Sequence, residues 1–242
     1  MINVVLAAGY ATRMYPLTEN FPKPLLEIKG KTILDRMMED IDSFPQITEH
    51  VIVSNHKFFS IFENWLEGAR LRYSKPIRLI DDGSVSNDTR VGAVKDLILA
   101  INTFDLNDHL LVAAADNMLD FSLHSLVDFF EEKQNSVIFY YNEPDINKRR
   151  KCGVASIAAD GLVEEIEEKP ENPKTEHVTP PFYIYHKRHI ASILSSVDNG
   201  CKFDAPGNLA RYIASTDSLY AIEMPGHRFD IGSLDTYYAL KA

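Results

Sequence analysis

Ile2-Asn3-Val4-Val5-Leu6-Ala7-Ala8-Gly9-Tyr10-Ala11-Thr12-Arg13, followed by Pro16-Leu17-Thr18 and Pro22-Lys23-Pro24-Leu25-Leu26-Glu27-Ile28, is the stretch on which the reading of this chain turns. Val4 to Ala8 is a short apolar run of the kind that sits in a parallel sheet covered on both faces, and Ala8-Gly9 ends it abruptly. Small side chains there let backbone N–H groups approach a polyphosphate closely. Arg13 presents a planar fork to phosphate oxygens, and Lys23, between Pro22 and Pro24, presents a compact charge on a stiffened loop. Two cations beside one turn point to a triphosphate.

Outward from this stretch, apolar runs alternate with helical ones. Strands are expected at Asn3–Ala8, His50–Ser54, Ile77–Ile80, His109–Ala115 and Ser136–Tyr140. Helices are expected near Thr32–Ser43, Lys57–Glu67, Val91–Asn102 and Leu123–Lys133, where apolar residues recur at three- and four-residue spacing. The alternation predicts a Rossmann-like α/β fold with a mixed, mostly parallel sheet flanked by helices. After Tyr141 a charged loop, Asn142 to Lys151, leads to shorter strands at Gly153–Ile157, Leu162–Ile166 and Pro181–Tyr185, which read as a small antiparallel cap. The proline-rich stretch Lys169 to Pro181 reads as a loop, because its prolines cannot join a central ladder. Phe58, Phe59, Ile61, Phe62 and Trp65 read as core.

Two better-known phosphate motifs fail on spacing. Gly30-Lys31-Thr32 has the end of a P-loop, but Leu25 stands where its first glycine belongs. A dinucleotide fingerprint needs glycines where the chain has Ala11 and Met14.

The 242 residues are read as a single domain, 1–242. A formal net charge of −10 argues against a nucleic-acid binder, which needs a basic face. Two cysteines, Cys152 and Cys201, are too few for a disulfide framework and fit a reducing compartment. No run reaches the about 18 uninterrupted apolar residues of a membrane span, and no basic leader precedes an apolar segment. A cytoplasmic protein without a membrane partner is expected; a homo-oligomer is left open. The eight histidines show no zinc spacing, and no Ser-His-Asp arrangement emerges.

Ligands of open α/β sheets gather beyond the carboxyl ends of strands, so Asp116-Asn117, directly after the run Leu110–Ala115, draws attention. Asp116 reads either as a Mg²⁺ ligand on nucleotide phosphates or as a cap on a turn. Asp230, in Arg228-Phe229-Asp230-Ile231-Gly232-Ser233, is a second aspartate, flanked by Phe229 and Ile231 as in a buried strand. Val163-Glu164-Glu165-Ile166-Glu167-Glu168-Lys169-Pro170 is by composition an acidic strand end with a solvated lysine. Asp204-Ala205-Pro206-Gly207-Asn208 reads either as a helix start carrying Leu209, Tyr212 and Ile213 inward or as a substrate contact.

Together these segments resemble the sugar-1-phosphate nucleotidyltransferases, including the glucose-1-phosphate thymidylyltransferases and uridylyltransferases. The family signature runs L-A-A-G-x-G-T-R-x-x-P-L-T and then P-K-P-L. Leu6-Ala7-Ala8-Gly9, Thr12-Arg13, Pro16-Leu17-Thr18 and Pro22-Lys23-Pro24-Leu25 match it. Arg228 to Ser233 is similar to the family's W-x-D-T-G-T, Glu168-Lys169-Pro170 to its E-K-P, and Cys152-Gly153-Val154 to its Y-G-V. The resemblance implies a single-domain nucleotidyltransferase fold and Mg²⁺-dependent transfer from an NTP, UTP or dTTP foremost, to a sugar 1-phosphate. It implies Arg13 and Lys23 as catalytic residues and Asp116 with Asp230 as Mg²⁺ ligands. Nucleotide contacts would come from Leu6, Ala7, Ala8, Gly9, Tyr10, Ala11, Thr12, Arg13, Asp82, Gly83 and Gly92. Acceptor contacts would come from Asn117, Gly153, Glu168, Lys169 and Tyr183.

Departures from the pattern are informative. Ala11 replaces the second glycine, and alanine suits that place at negative φ. Cys152 replaces an aromatic residue, Pro181 stands where relatives have glycine, and the usual base-contacting glutamine is not evident. The nearest alternative is a cytidylyltransferase for phosphocholine or another small phosphorylated acceptor. A non-catalytic nucleotide-sugar sensor would be expected to lose Arg13, Lys23 or an aspartate. A metal-dependent glycosyltransferase would show Asp-x-Asp where the chain has Met118.

Overall fold

The computed structural model describes residues 1–241. Its architecture is mixed α/β, with ten strands in one large sheet, two small two-stranded sheets, and helices between them. Backbone contacts gather into two compact units. The first holds Met1–Val91, Ala113–Leu123 and the chain from Gly226 onward; the second holds Gly92–Val112 and His124–Pro225.

In the first unit the strands Ile2–Leu6, Glu49–Ser54 and Ile77–Asp81 run parallel, with Val4 opposite Val51 and Val51 opposite Arg78. Val4, Val5, Val51, Ile52 and Val53 are all fully buried, because helices cover parallel sheets on both faces. That is why the sequence reads there as unbroken apolar runs. The first strand stops at Leu6, two residues before the expected Ala8, although Ala7 still donates to Val53 O at 2.9 Å. Helix Ile33–Asp42 is capped by Thr32, whose hydroxyl accepts from Asp35 N at 2.9 Å, and it buries Ile33, Leu34, Met37, Met38 and Ile41. Each such side chain contributes about 1.5–3 kcal/mol of transfer free energy. Helix Phe59–Arg72 buries Phe62, and Phe58 is buried just before it, but Phe59, Ile61 and Trp65 stay partly exposed. Trp65 Nε1 instead donates to Asp35 Oδ1 at 3.1 Å.

In the second unit the strand Ser136–Asn142 is the hub. Phe182–Tyr185 and His177–Thr179 pair with it antiparallel, and Leu219–Glu223 pairs with it parallel. Gly153–Ile157 and Val163–Glu168 form an antiparallel pair, which matches the expected cap. Two expectations are corrected here. The stretch read as a loop, 169–181, holds the strand His177–Thr179, which lies between its prolines and so keeps its own N–H groups. The charged stretch 142–151 holds the short helix Ile146–Arg149, started by Asp145, whose side chain accepts from Asn147 N at 2.8 Å. Helix Gly207–Thr216 starts where expected and buries Leu209 and Ile213, while Tyr212 stays partly exposed.

Candidate active site

The turn after Ile2–Leu6 carries the densest set of candidate residues. Leu6 is half-buried, Ala7, Ala8 and Tyr10 are buried, and Gly9, Thr12 and Arg13 face solvent. A Cβ on Gly9 would meet no atom within 4 Å, so open space lies above that backbone. Ala11 corrects the expectation of negative φ: it sits in the left-handed region at φ 46 and ψ 42. Its carbonyl accepts from Met14 N at 2.9 Å and Thr18 Oγ1 at 2.8 Å, and these bonds hold the conformation against its steric cost.

Tyr10 ties this turn to the end of the third parallel strand. Its hydroxyl lies 3.1 Å from Ser84 Oγ, which donates to Asp82 Oδ1 at 2.7 Å. Asp82 Oδ2 is buried and finds no hydrogen-bond donor among the described residues. Burial raises the Asp82 carboxyl above its ordinary value, the bonds from Ser84 pull it back, and Asp81 adds to the rise. Gly83 is exposed at φ +78. Gly92, in the second unit, has its own reason to be glycine. At φ +102 a Cβ there would come within 2.6 Å of Phe203 O.

Lys23 opens a single 3-10 turn, Lys23–Leu25, between Pro22 and Pro24. Its ammonium is buried and donates to Asp116 Oδ2 at 3.0 Å. Asp116 Oδ1 accepts from Asn117 Nδ2 at 2.6 Å, and Asn117 Oδ1 accepts from Arg228 Nη1 at 2.6 Å. The short strands Asn117–Leu119 and Arg228–Asp230 pair antiparallel and set Asp230 directly opposite Asn117. Arg13 joins at Gly232, where the Cβ position lies 3.5 Å from both Arg13 Nη2 and Asp230 Oδ1. Arg13, Lys23, Asp116, Asn117 and Asp230 therefore belong to one cluster in the first unit. The buried strand expected around Asp230 is corrected. Ile231 is fully buried, but Phe229 and Asp230 are exposed.

The donor chemistry of this cluster suits Mg²⁺. Asp116 and Asp230 are solvent-reachable carboxylates, and each keeps oxygen lone pairs beyond those its neighbours use. Among the described residues no group of three or more His, Cys, Asp or Glu could hold a metal. Two carboxylates that leave the remaining positions to phosphate and water match the preference of that ion.

Of the acceptor candidates, Asn117 belongs to the first unit, whereas Gly153, Lys169 and Tyr183 gather in the second unit around Glu168. Its Oε2 lies 3.1 Å from the Cβ position of Gly153 and 2.5 Å from that of Gly207, so the carboxylate occupies space that only two glycines leave free. Tyr183 OH lies 3.8 Å from the same point at Gly207, and Lys169 Nζ lies 3.7 Å from Glu168 Oε1. Burial raises the Glu168 carboxyl, Lys169 pulls it down, and Asp204 pushes it up; the net shift is upward. Lys169 itself sits at φ 51, with its N–H bonded to Cys152 O at 2.9 Å.

The family model for nucleotidyl transferases matches residues 2–242. The chain belongs to the nucleotidyl transferase family. The glucose-1-phosphate adenylyltransferase of Fervidobacterium nodosum is 24% identical over 252 residues, covering 98% of this chain and 60% of that protein. The UTP–glucose-1-phosphate uridylyltransferase AglF of Haloferax volcanii is 26% identical over 238 residues, covering 95% and 90%. The chain thus spans 60% of the length of the first relative, less than two thirds, and most of the second. A crystal structure of UDP-glucose pyrophosphorylase complexed with UDP-glucose superposes with a TM-score of 0.79 at 20% identity, covering 99% of this chain and 96% of that one. That likeness shows the fold.

Within this family member, sequence reasoning missed Arg228 and Thr179 as parts of the two clusters, while Gly207 lies in the segment weighed as a substrate contact. Arg228 carried a signal, lying two residues from Asp230 and so on the same strand face. Thr179, whose Oγ1 is 2.5 Å from the Cβ position of Gly153, carried none. A Ser-His-Asp series also exists, with Ser136 Oγ 2.7 Å from His189 Nδ1 and His189 Nε2 2.9 Å from Asp217 Oδ2. Ser136 is fully buried and accepts from His186 N at 2.9 Å, so this series is a structural tie without substrate access. No helix among the described residues is long and apolar enough to cross a membrane.

Proposed function

We propose that this chain transfers a nucleotidyl group from an NTP, UTP or dTTP foremost, to a sugar 1-phosphate, giving an NDP-sugar and pyrophosphate. The observation that carries this reading is the buried Lys23 ammonium on Asp116, in the same cluster as Arg13 and Asp230. Three cations, Arg13, Lys23 and Arg228, against two carboxylates, Asp116 and Asp230, leave one net positive charge for a polyanion. The activities for which the relatives are named support the same reaction class.

In this reading an acceptor phosphate oxygen forms a bond to the α-phosphorus while the bond to the departing pyrophosphate breaks in line. Catalysis is then mostly positioning and neutralisation of charge. Arg13, exposed beside the open backbone at Gly9, binds and neutralises the leaving pyrophosphate. Lys23 holds Asp116 and adds its positive charge toward the nucleotide's phosphates. Asp116 and Asp230 would hold Mg²⁺, which when bound supplies further neutralisation of phosphate charge. Glu168, Lys169, Gly153 and Tyr183 receive the acceptor, with Lys169 the cation for its phosphate.

The test is pyrophosphate release with Mg²⁺ across the four ribonucleoside triphosphates and dTTP, each paired with a panel of sugar 1-phosphates or with phosphocholine. Release with one nucleotide and one sugar phosphate is expected. Release confined to CTP with phosphocholine would replace the sugar reading, and silence with every pair would defeat both.

A further inference from the structure

Asn117 is buried with both ends of its side-chain amide hydrogen-bonded. Nδ2 donates to Asp116 Oδ1 at 2.6 Å and to Ala114 O at 3.3 Å, and Oδ1 accepts from Arg228 Nη1 at 2.6 Å. An amide has two nearly isosteric orientations, and only the network around it decides between them. Two of these three contacts would tolerate only the nitrogen: the Asp116 carboxylate and the Ala114 carbonyl both accept. The third tolerates only the oxygen, because a guanidinium has no acceptor.

We propose that Arg228 is a positioning residue for Asp116. By donating to Asn117 Oδ1 it locks the polarity of that amide, so that Nδ2 faces Asp116. The carboxylate is then held between two donors from opposite ends, Asn117 on Oδ1 and Lys23 on Oδ2. The strand register makes this possible. Asp230 sits opposite Asn117, and Arg228, two residues from Asp230 on the same strand, shares its face of the ladder and lies diagonal to Asn117. Arg228 thus touches no reacting atom in this scheme; it acts through Asn117. Without it the buried Asn117 Oδ1 loses a charge-assisted bond, and the orientation of the amide rests on the Asp116 carboxylate and the Ala114 carbonyl alone.

The activity arm of the test rests on the transferase reading; the spectroscopic arm does not. Three variants separate the contributions: Arg228→Met removes charge and donor, Arg228→Gln removes charge but keeps a donor, and Arg228→Lys keeps both. In the ¹H–¹⁵N spectrum of labelled protein the Asn117 side-chain amide pair is identified by its loss in Asn117→Ser. Arg228→Met is expected to move that pair and speed its exchange with water, and Arg228→Lys to leave it near its original position. Backbone signals distant from residues 113–123 and 226–233 should stay in place. With the competent substrate pair, Arg228→Met should lower kcat roughly tenfold or more with a small change in nucleotide KM, as expected for loss of a charge-assisted bond. Arg228→Lys should recover most of that loss. An unmoved Asn117 pair in Arg228→Met overturns the proposal, whatever the activity. A moved pair with unchanged kcat in an active enzyme overturns it as well. If no substrate pair turns over, the transferase reading fails while the spectrum still decides whether Arg228 orients Asn117.

Discussion

The Lys23 ammonium is almost fully buried, whereas the Asp116 carboxylate that accepts its hydrogen bond at 3.0 Å is nearly half exposed. A burial so unequal makes the two partners unequal in what their removal does. Taking away the exposed partner leaves a buried charge without compensation, and taking away the buried one only releases a carboxylate to water. Asp116→Asn is therefore expected to cost about 1–3 kcal/mol of unfolding free energy and Lys23→Met less than about 1 kcal/mol. Both should remove most turnover. Urea unfolding monitored by circular dichroism gives the comparison, and equal losses in the two variants would contradict the buried-charge argument.

Ala11 carries a second prediction. A left-handed alanine costs about 1–2 kcal/mol, while glycine costs about 0.5–1 kcal/mol in extra unfolded-state entropy. At φ 46 and ψ 42 the first cost is present in full. Ala11→Gly should then raise stability by up to about 1 kcal/mol, because the bonds from Met14 and Thr18 to the Ala11 carbonyl need no side chain at position 11. A loss of stability on making this variant would show that the alanine methyl contributes packing that outweighs its strain.

Glu168 links stability to pH. Burial raises its carboxyl above the ordinary carboxylate range, and Asp204 adds to the rise against the pull of Lys169. The folded chain therefore binds this proton more tightly than the unfolded chain. Its contribution is fully present below the unfolded carboxylate value and is lost as pH rises through the raised folded value. Glu168→Gln, which fits the same space between Gly153 and Gly207, should melt above the parent protein at pH 8, with the gap closing toward pH 4. Thermal unfolding at both pH values checks this, and a gap independent of pH would sink it. The same variant should weaken acceptor binding, seen as a raised acceptor KM.

Much of the fold was legible because its signals are local. Val4, Val5, Val51, Ile52 and Val53 are apolar in unbroken runs since both faces of their strands are covered, and Gly9 marks the end of the first run. The strand Leu219–Glu223 escaped notice, being a five-residue segment directly after a helix in which buried and half-buried residues alternate. The strand His177–Thr179 was hidden among prolines that flank it without entering its ladder.

The same division runs through the site. Residue types and their spacing along the chain determined the parallel-sheet core, the small-residue turn, the two cations Arg13 and Lys23, and the candidate aspartates Asp116 and Asp230, because these depend on neighbours within a few positions. The tertiary structure alone decided that Lys23 is buried on Asp116, that Asp230 lies opposite Asn117, that Arg228 sets the orientation of that amide, and that Gly153 and Gly207 both make room for Glu168. Those contacts join residues from 15 to 113 positions apart, as Glu168 with Gly153 and Asn117 with Asp230. No local propensity encodes such a pairing; strand register and packing do.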